Sequence, residues 1–414
     1  MTMRAARWHG KKDIRIEEID SPTAGPGQVL VDVAWCGICG TDLHEYLEGP
    51  IFIPPAGHPH PISGDAAPVT LGHEMSGTVA ALGEGVTDLE VGQKVVVEPY
   101  IVREEDRDRP DYNLAPDMNF IGLGGDGGGL AEQIAVQRRW VHPVADSVPL
   151  DQAALIEPLS VAHHAWVRAG SPTSGVALIG GAGPIGALTA AVLKGKGLTV
   201  YVSELSELRR QKVLEAGVVD EAFDPREVDV PAKIRELHDG QGADVGFECT
   251  SVDVVLDMLL DAVRPGGVIV NESIWGHEPA VALHKLVLKE IDLRGTIAYA
   301  NDHADTIRMV EDGAVDLAPF ITGKIGLDDL VDQGFETLIH HNETAVKILV
   351  SPTGRVSEAP ARPPDVPTTA RARSRRVRAV VVPAPRRAVM DASSPGVPVT
   401  GVIEWNSVNR DEPS

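Results

Sequence analysis

The sequence contains little cysteine and few aromatic residues. Only Cys36, Cys39 and Cys249 occur in 414 residues, and Phe, Trp and Tyr together make up 4% of the chain. Three cysteines are too few for a disulfide framework, which excludes the small disulfide-stapled secreted domains and suits a reducing compartment. The chain also lacks an apolar run long enough to cross a bilayer, and its first residues show no signal-peptide pattern. We therefore expect a cytoplasmic protein that does not associate with membranes.

Basic residues are scarce relative to acidic ones. Lys and Arg number 37 against 60 Asp and Glu, so the formal net charge is -23 and the isoelectric point lies near 5.0. Because phosphate-binding surfaces need clustered cations, this composition argues against nucleic acid or an anionic membrane as partner. With 43% hydrophobic residues, the chain has enough apolar side chains for a core in each of at least two domains.

The last segment, 353–414, differs in composition from the rest. It holds ten Arg, no Lys, six acidic residues and nine Pro, which gives it a charge of +4 and leaves -27 for the remainder. Such a segment buries too little apolar surface to offset its ordering entropy. We expect a disordered tail without an assigned function, and an arm that binds acidic partners is the alternative.

The pattern of apolar residues in the remaining sequence changes near residue 157. Before that point, β-branched runs such as QVLVDVAWCG and SGTVAALGEG alternate with Gly, Pro and Asp turns, which predicts a mainly β segment. From Val176, apolar runs such as VALIG and LTVYVSE alternate with helical stretches, which predicts a doubly wound parallel sheet. The pattern from about Thr296 to Pro352 is mixed and does not assign that segment to either domain.

A glycine motif stands at the first strand-to-helix turn of the α/β segment. VALIG runs into GGAGPIG, in which Gly181, Gly183 and Gly186 form G-x-G-x-x-G in the context that the motif requires. The glycines let the backbone approach a pyrophosphate, while the helix that begins with Pro184 and Ile185 offers unpaired N–H groups and a positive dipole end. The motif predicts a dinucleotide site, and a tight structural turn is the alternative.

The next strand, LTVYVSE, ends in an acidic residue, Glu204. An acid at this place accepts hydrogen bonds from the adenosine ribose hydroxyls and repels a 2′-phosphate, so we expect NAD rather than NADP. Arg209, on the following helix, is a second candidate for the ribose, with a solvent-facing role as the alternative.

Possible metal ligands are spread over three segments, GICGTDLHEY (37–46), GHE (72–74) and EPLSVAHHAW (157–166). Cys39, His73 and a carboxylate from Glu157 or Glu74 would supply three ligands and leave one position of a tetrahedral zinc open to water or alcohol, as catalysis requires. Each residue also has an ordinary structural explanation, and the pair Cys36-x-x-Cys39 is open to interpretation as a redox or zinc-knuckle motif.

These motifs, in this order and spacing, resemble the zinc-containing medium-chain alcohol and polyol dehydrogenases. The resemblance covers about Met3 to Pro352. It implies an α/β protein with a GroES-like β-rich catalytic domain, 1–157 and 297–352, and a doubly wound Rossmann NAD-binding domain, 158–296. It also implies a homo-oligomer, either a dimer or a tetramer.

The resemblance implies roles for the metal candidates. Cys39, His73 and Glu157 match the ligands of the catalytic zinc, and Glu74 matches the neighbouring acid that can exchange onto the metal. Many family members hold a second, structural zinc on four cysteines in the lobe after GHE. The corresponding segment here, 97–128, has no cysteine, so we expect one catalytic zinc and no structural zinc.

A proton path is implied by the same resemblance. Thr41 and His44 match the family's relay positions, where a hydroxyl takes up the proton of the alcohol and an imidazole passes it to solvent. A turn hydroxyl and a surface histidine are the ordinary alternatives for these two residues.

Within this family, the insert at 50–74 and the strand end VSELSELRR are most similar to 2,3-butanediol dehydrogenases. The similarity implies that the substrate is a vicinal diol, oxidised reversibly to a hydroxyketone such as acetoin with NAD as hydride acceptor, with reduction of acetoin or diacetyl in reverse. A sorbitol-like polyol dehydrogenase is the alternative within the class. A noncatalytic NAD(H)-binding protein is the alternative outside it.

Overall fold

We analysed a computed structural model, which describes residues 1–341 and 345–354. The predicted disordered tail, 353–414, lies outside the described residues except for its first two positions. No described helix is both long and apolar enough to cross a membrane.

Among the described residues, the strands are β1 (Thr2–Gly10), β2 (Asp13–Asp20), β3 (Gln28–Gly37), β4 (Val69–Thr70), β5 (Glu74–Leu82), β6 (Lys94–Val97), β7 (Tyr100–Ile101), β8 (Asn119–Phe120), β9 (Gln133–Gln137), β10 (Val141–Pro143), β11 (Val176–Gly180), β12 (Thr199–Ser203), β13 (Glu221–Phe223), β14 (Ala243–Glu248), β15 (Val263–Asn271), β16 (Asp292–Gly295), β17 (Ile321–Gly326) and β18 (Lys347–Ser351). The α-helices are α1 (Gly40–Leu47), α2 (Leu150–Ala153), α3 (Ile156–Arg168), α4 (Pro184–Gly195), α5 (Glu207–Glu215), α6 (Val230–Leu237), α7 (Asp253–Ala262), α8 (Leu283–Lys289), α9 (His303–Glu311) and α10 (Glu336–His340).

The first sheet is built around β3. Its order is β10-β6-β5-β3-β18-β17, and β9 also pairs with β3. Along β3, Val29, Val31 and Val33 are buried and Asp32 is exposed, the alternation expected of a strand with one face in the core. β18 pairs antiparallel with β3 and parallel with β17. The segment whose pattern was mixed thus supplies two strands to the sheet of the N-terminal half.

The second sheet has six parallel strands in the order β13-β12-β11-β14-β15-β16. This order reverses direction between β11 and β14, which creates a crevice at the carboxyl ends of those strands. Every residue of β11 is buried, as a strand covered by helices on both faces requires. The predicted doubly wound parallel sheet is confirmed.

Helix α3 carries chemistry-bearing residues and packs against α4 and α9. Ile156 and Leu159 are fully buried, so the first turn of α3 sits in the core. Because Glu157 lies between them, its carboxylate is held inside the protein, with 6% of the residue exposed.

Candidate active site

Three of the predicted metal ligands lie together. Cys39 caps the N-terminus of α1, His73 precedes β5, and Glu74 is the first residue of β5. β3 and β5 are antiparallel, and Glu74 stands opposite Gly37, two residues before Cys39. As a result, ligand atoms of Cys39, His73 and Glu74 all lie within 4.8 Å of one another.

Glu157 does not belong to that group of three, but it lies close to it. Its charge acts on His73 and adds to the effects that raise the pKa of His73. Glu157 is itself buried, and burial raises the pKa of its carboxyl group. The hydroxyl of Tyr299 donates to Glu157 Oε1 at 2.6 Å. Glu157 is therefore a buried carboxylate near the imidazole of His73, and its hydrogen-bond partner is Tyr299.

Glu74 is paired with a buried lysine that the motif analysis missed. Lys347 Nζ donates to Glu74 Oε1 at 2.6 Å and to Oε2 at 2.7 Å. Only 3% of Lys347 is exposed. Burial lowers the pKa of Lys347, but the charges of Glu74, Cys39 and Glu157 and the hydrogen bonds to Glu74 together outweigh burial and leave the pKa raised, so the lysine stays cationic. A single charged residue within the apolar run AVKILV was the available signal.

Asp42 is a second residue that the motif analysis missed. It is completely buried, and its Oδ2 accepts the backbone N–H of Cys39 at 3.0 Å. Its Oδ1 lies 3.6 Å from His73 Nδ1, and both atoms are buried without a hydrogen-bond partner. Burial opposes a charged His73, yet Asp42, Cys39 and Glu157 together outweigh burial and raise the pKa of His73. Asp42 thus accepts a hydrogen bond from the backbone of Cys39 and lies beside the ring of His73.

The predicted relay residues follow Cys39 on helix α1. Thr41 Oγ1 is 3.7 Å from Cys39 Sγ, and the residue is half-buried. His44 is exposed and lies three residues further along the helix, on the same side. The helix therefore places a hydroxyl beside the candidate ligand and an imidazole at the surface.

The redox interpretation of Cys36-x-x-Cys39 is not supported. Cys36 is fully buried and forms no disulfide. Burial raises the pKa of the Cys36 thiol well above its usual range, whereas reactive cysteines need a lowered pKa. Cys36 also lies outside the ligand group of Cys39 and His73.

The glycine loop has the geometry that its motif predicts. Gly181 has φ +95°, and a Cβ on Gly186 would lie 2.1 Å from the Gly181 carbonyl oxygen, so this close approach requires glycine. Gly183 caps α4 and Pro184 is its first residue. Gly183, Pro184 and Ile185 are half-buried. The first turn of α4 therefore remains accessible to an anionic group.

Glu204 and Arg209 both lie at this loop. Glu204 Oε2 accepts the backbone N–H of Ala182 at 2.7 Å, and Oε1 accepts that of Ser206 at 2.8 Å. Arg209 Nη1 is 4.0 Å from the position that a Cβ on Gly183 would take. The structure brings the predicted ribose-binding residues to the predicted pyrophosphate loop.

Two protein-family models match the chain. The alcohol dehydrogenase GroES-like domain matches residues 25–146, and the zinc-binding dehydrogenase domain matches residues 184–312. The first match contains β3, β5, β6, β9 and β10 of the first sheet, and the second contains β12 to β16 of the parallel sheet.

Relatives match nearly the whole described chain. The chain is 62% identical over 352 residues to (R,R)-butanediol dehydrogenase of Neisseria gonorrhoeae, covering 84% of this chain and 99% of the relative. The crystal structure of 2R,3R-butanediol dehydrogenase from Bacillus subtilis matches with a TM-score of 0.80 and 42% identity, covering 84% of this chain and 99% of that one. Sorbitol dehydrogenase of Gallus gallus is 31% identical over 353 residues, covering 83% of this chain and 96% of the relative.

Proposed function

Because the chain belongs to the zinc-binding alcohol dehydrogenase family, we propose that it catalyses the reversible oxidation of 2,3-butanediol to acetoin with NAD. Reduction of acetoin or diacetyl is the reverse reaction. The observation that carries this proposal is the 62% identity to the (R,R)-butanediol dehydrogenase of Neisseria gonorrhoeae over 99% of that relative, against 31% identity to the sorbitol dehydrogenase of Gallus gallus.

Several sequence-based predictions are confirmed by the family matches. They are the resemblance to medium-chain zinc dehydrogenases, the GroES-like domain joined to a Rossmann domain, and the interpretation as an oxidoreductase. Family membership also supports zinc and a nicotinamide cofactor as the cofactors of this protein. The choice of NAD, the ligand residues and the substrate belong to the proposal.

The donor atoms near Cys39 suit a catalytic zinc. A thiolate, an imidazole and a carboxylate are ligands that zinc accepts, and three of them leave one position open. Zinc-bound histidines present a second ring nitrogen to a carboxylate, and Asp42 stands 3.6 Å from His73 Nδ1. We assign Cys39, His73 and one glutamate, Glu157 or Glu74, as ligands. Zinc bound there would polarise the substrate hydroxyl and lower its pKa.

The protein's own residues then handle the proton and the cofactor. Thr41, beside Cys39 Sγ, takes up the hydroxyl proton, and the exposed His44 releases it to solvent. The first turn of α4, with Gly183, Pro184 and Ile185, holds the pyrophosphate through backbone N–H groups.

Glu204 would exchange its backbone partners for the ribose hydroxyls of NAD. Gly181 and Gly186 permit the approach of the cofactor, and Arg209 flanks it. NAD supplies the hydride acceptor.

The proposed domain boundaries follow the two sheets. The catalytic domain comprises 1–157 and 297–352, and the cofactor domain comprises 158–296. The membership of β17 and β18 in the sheet around β3 supports the return of the chain to the first domain. We also propose a cytoplasmic location, which the three unpaired cysteines support.

We further propose a homo-oligomer that forms through the β16 end of the parallel sheet. Among the described strands, β16 is an edge strand, and such edges are templates for pairing. The preceding helix α8 exposes Leu283, Val287 and Leu288, which are 65%, 74% and 80% exposed. Light scattering of the purified protein should give twice or four times the chain mass. A Val287→Glu, Leu288→Glu double variant should shift it towards the monomer.

The proposed activity is tested by initial rates of NADH formation from the separate 2,3-butanediol stereoisomers and from sorbitol, with zinc-replete protein. We expect a marked preference for one butanediol stereoisomer. A preference for sorbitol would replace the substrate by a polyol and keep the metal chemistry. NADH binding without turnover of any of these alcohols would favour the noncatalytic NAD(H)-binding alternative.

A further inference from the structure

Residues 297–301, between β16 and α9, are bonded at alternate positions by side chains of one lobe, the segment 97–128. Three buried lobe side chains make these bonds. The bonds join Asn113 Nδ2 to the Ile297 carbonyl oxygen at 2.9 Å, the Tyr100 hydroxyl to the Tyr299 carbonyl oxygen at 2.5 Å, and the Asn301 N–H to the Tyr112 hydroxyl at 2.6 Å. The lobe therefore grips this segment along its whole length.

The segment has a backbone that needs such support. Ala298 has φ +48° and Asn301 has φ +64°. Left-handed conformations are unfavourable for residues other than glycine, and they persist only where the surrounding structure holds them. The bonds from the lobe thus help to maintain a conformation that the segment would not adopt alone.

Tyr299 connects this segment to the candidate active site. It lies between the two left-handed residues and is fully buried. Its hydroxyl donates to Glu157 Oε1 at 2.6 Å, and the charge of Glu157 acts on His73. A shift of the segment would therefore move a phenol that contacts the site.

Glu98 fixes the direction of the Tyr112 hydroxyl. This hydroxyl donates to Glu98 Oε1, so its lone pairs are left to accept the Asn301 N–H. Glu98 is fully buried, and its Oε2 lies 2.7 Å from His142 Nε2. Burial alone would raise the pKa of Glu98, but the hydrogen bonds and charges of its histidine and tyrosine neighbours outweigh burial and lower the pKa. Glu98 thus remains an acceptor for the tyrosine.

The lobe has other bonds that hold its own surface together. Arg103 pairs with Asp117, and Arg109 Nε lies 3.1 Å from Asp111 Oδ1, with all four side chains partly exposed. Exposed ion pairs of this kind contribute little to stability. The buried polar side chains of the lobe, by contrast, are directed at residues 297–301, which suggests that holding this segment is their role.

We propose that the lobe positions residues 297–301 for turnover, and that Glu98 orients the Tyr112 hydroxyl towards Asn301. Glu98 and Tyr112 are positioning residues, because they act on the site through Tyr299. The inference rests on the proposed alcohol dehydrogenase activity and gives the lobe a part in it. It does not depend on which alcohol is oxidised.

The first test is Tyr112→Phe, which leaves the Asn301 N–H without its acceptor. Hydrogen exchange of the zinc-replete full chain, followed by mass spectrometry, should be about 10-fold to 100-fold faster in peptides that cover 297–301, because a buried donor has lost its bond. Peptides that cover β11 should exchange as in the wild type. We expect kcat to fall by at least about 10-fold, since small misplacements are costly, while zinc content and NADH affinity are unchanged.

Substitutions of Glu98 provide a rescue. Glu98→Ala removes the acceptor of the Tyr112 hydroxyl and should change exchange and kcat in the same direction as Tyr112→Phe. Glu98→Gln keeps a carbonyl oxygen for that hydroxyl and should restore both values towards the wild type. Tyr46→Phe, at a buried tyrosine whose ring packs against Phe335, is the matched control and should change neither. A merely structural role predicts lower thermal stability with an unchanged kcat per folded molecule.

Unchanged exchange of 297–301 in Tyr112→Phe would overturn the proposal, as would faster exchange with a wild-type kcat. Equal acceleration in Tyr46→Phe would also overturn it, since the effect would not be specific to this bond. Wild-type protein that oxidises none of the tested alcohols would count against the proposed function, whereas the exchange measurement would still decide whether the lobe holds the segment. Folding is checked by thermal unfolding, and Asn113→Ala, which releases Ile297, replaces Glu98→Ala if that variant unfolds.

Discussion

The glycine loop, which is the proposed cofactor loop, and the proposed metal centre are assembled over very different lengths of chain. The loop residues lie within 181–209 and surround one strand-to-helix turn. The metal centre takes side chains from α1, β5, α3 and β18 and from the segment before α9. One site is a local structure, whereas the other exists only after segments near residues 40, 75, 157, 299 and 347 have come together.

The two sites also use different chemical groups. At the loop, backbone N–H groups and glycines form the proposed binding surface, so close approach matters more than side-chain identity. At the metal centre, buried charges face one another, and Lys347, Glu74, Asp42 and Glu157 each need a partner. We therefore expect damage to the loop to affect cofactor binding alone and damage to the centre to affect metal and turnover.

The largest expected effect comes from Cys39→Ala. Loss of the thiolate should remove bound zinc and reduce turnover by at least about a thousandfold, since metal polarisation is worth several kcal/mol and each 1.36 kcal/mol is tenfold. Affinity for NADH, measured by fluorescence titration, should be unchanged because the loop is intact. Cys36→Ala is the matched control and should retain zinc. Equal zinc loss in both variants would revive the paired-cysteine interpretation.

The reciprocal experiment is Gly186→Ala. The added Cβ would lie 2.1 Å from the Gly181 carbonyl oxygen, so the turn must shift. Overpacking of this kind costs about 1–3 kcal/mol. If this cost destabilises the complex with NADH, the affinity for NADH should fall by up to roughly a hundredfold. Zinc content should stay at the wild-type level. Gly276→Ala, where a Cβ meets nothing within 4 Å, is the control. Loss of zinc in Gly186→Ala would mean that the two sites are coupled.

Glu204→Ser tests the proposed recognition of the ribose hydroxyls by the Glu204 carboxylate. Removing hydrogen bonds to a charged group costs about 1.5–3 kcal/mol, so kcat/KM for NAD should fall about 10-fold to 100-fold while the exclusion of NADP relaxes. Glu207→Ser changes an exposed glutamate on the next helix and should alter neither value. An unchanged NAD to NADP ratio in Glu204→Ser would remove this residue from cofactor recognition.

The smallest effect on activity is expected for substitution of Glu272, a residue that contacts helix α4. The hydroxyl of Thr189 in α4 donates to the Glu272 carboxylate oxygens at 3.0 and 3.1 Å. Burial raises the pKa of Glu272 from 4.5 to about 8. Between these two values the folded state keeps a proton that the unfolded state has released, so this group makes the free energy of unfolding fall as pH rises.

Glu272→Gln removes this titration. The free energy of unfolding is measured by urea denaturation at a series of pH values. Between pH 5 and pH 8, the value for Glu272→Gln should rise relative to that of the wild type by on the order of a few kcal/mol. Glu221→Gln, at an exposed position, should follow the wild-type curve. Parallel curves for Glu272→Gln and wild type would show that Glu272 does not take up a proton on folding in this pH range.

Most of the parallel sheet could be predicted from the sequence, because each strand and helix is a contiguous run with its own period. The return of β17 and β18 to the first sheet could not, since their pattern is compatible with either domain and only pairing with β3 decides. Cys39, His73 and Glu74 were found by motif and lie together. Tyr299 gave no motif signal, because its partner Glu157 is far away in the sequence. Asp42 lies inside the segment 37–46, but its role depends on His73, which comes from another segment.

The sequence by itself determined the cofactor loop, since a strand, three glycines and a following helix specify their own geometry through local backbone sterics. It also restricted the metal ligands to a few residue types. Only the tertiary structure decided how the two glutamates differ. Glu74 and Glu157 are the same residue type in the sequence. In the structure, sheet pairing places a buried lysine beside Glu74, and packing places a tyrosine hydroxyl beside Glu157. Charges removed from water take their properties from their neighbours, and those neighbours are chosen by the fold.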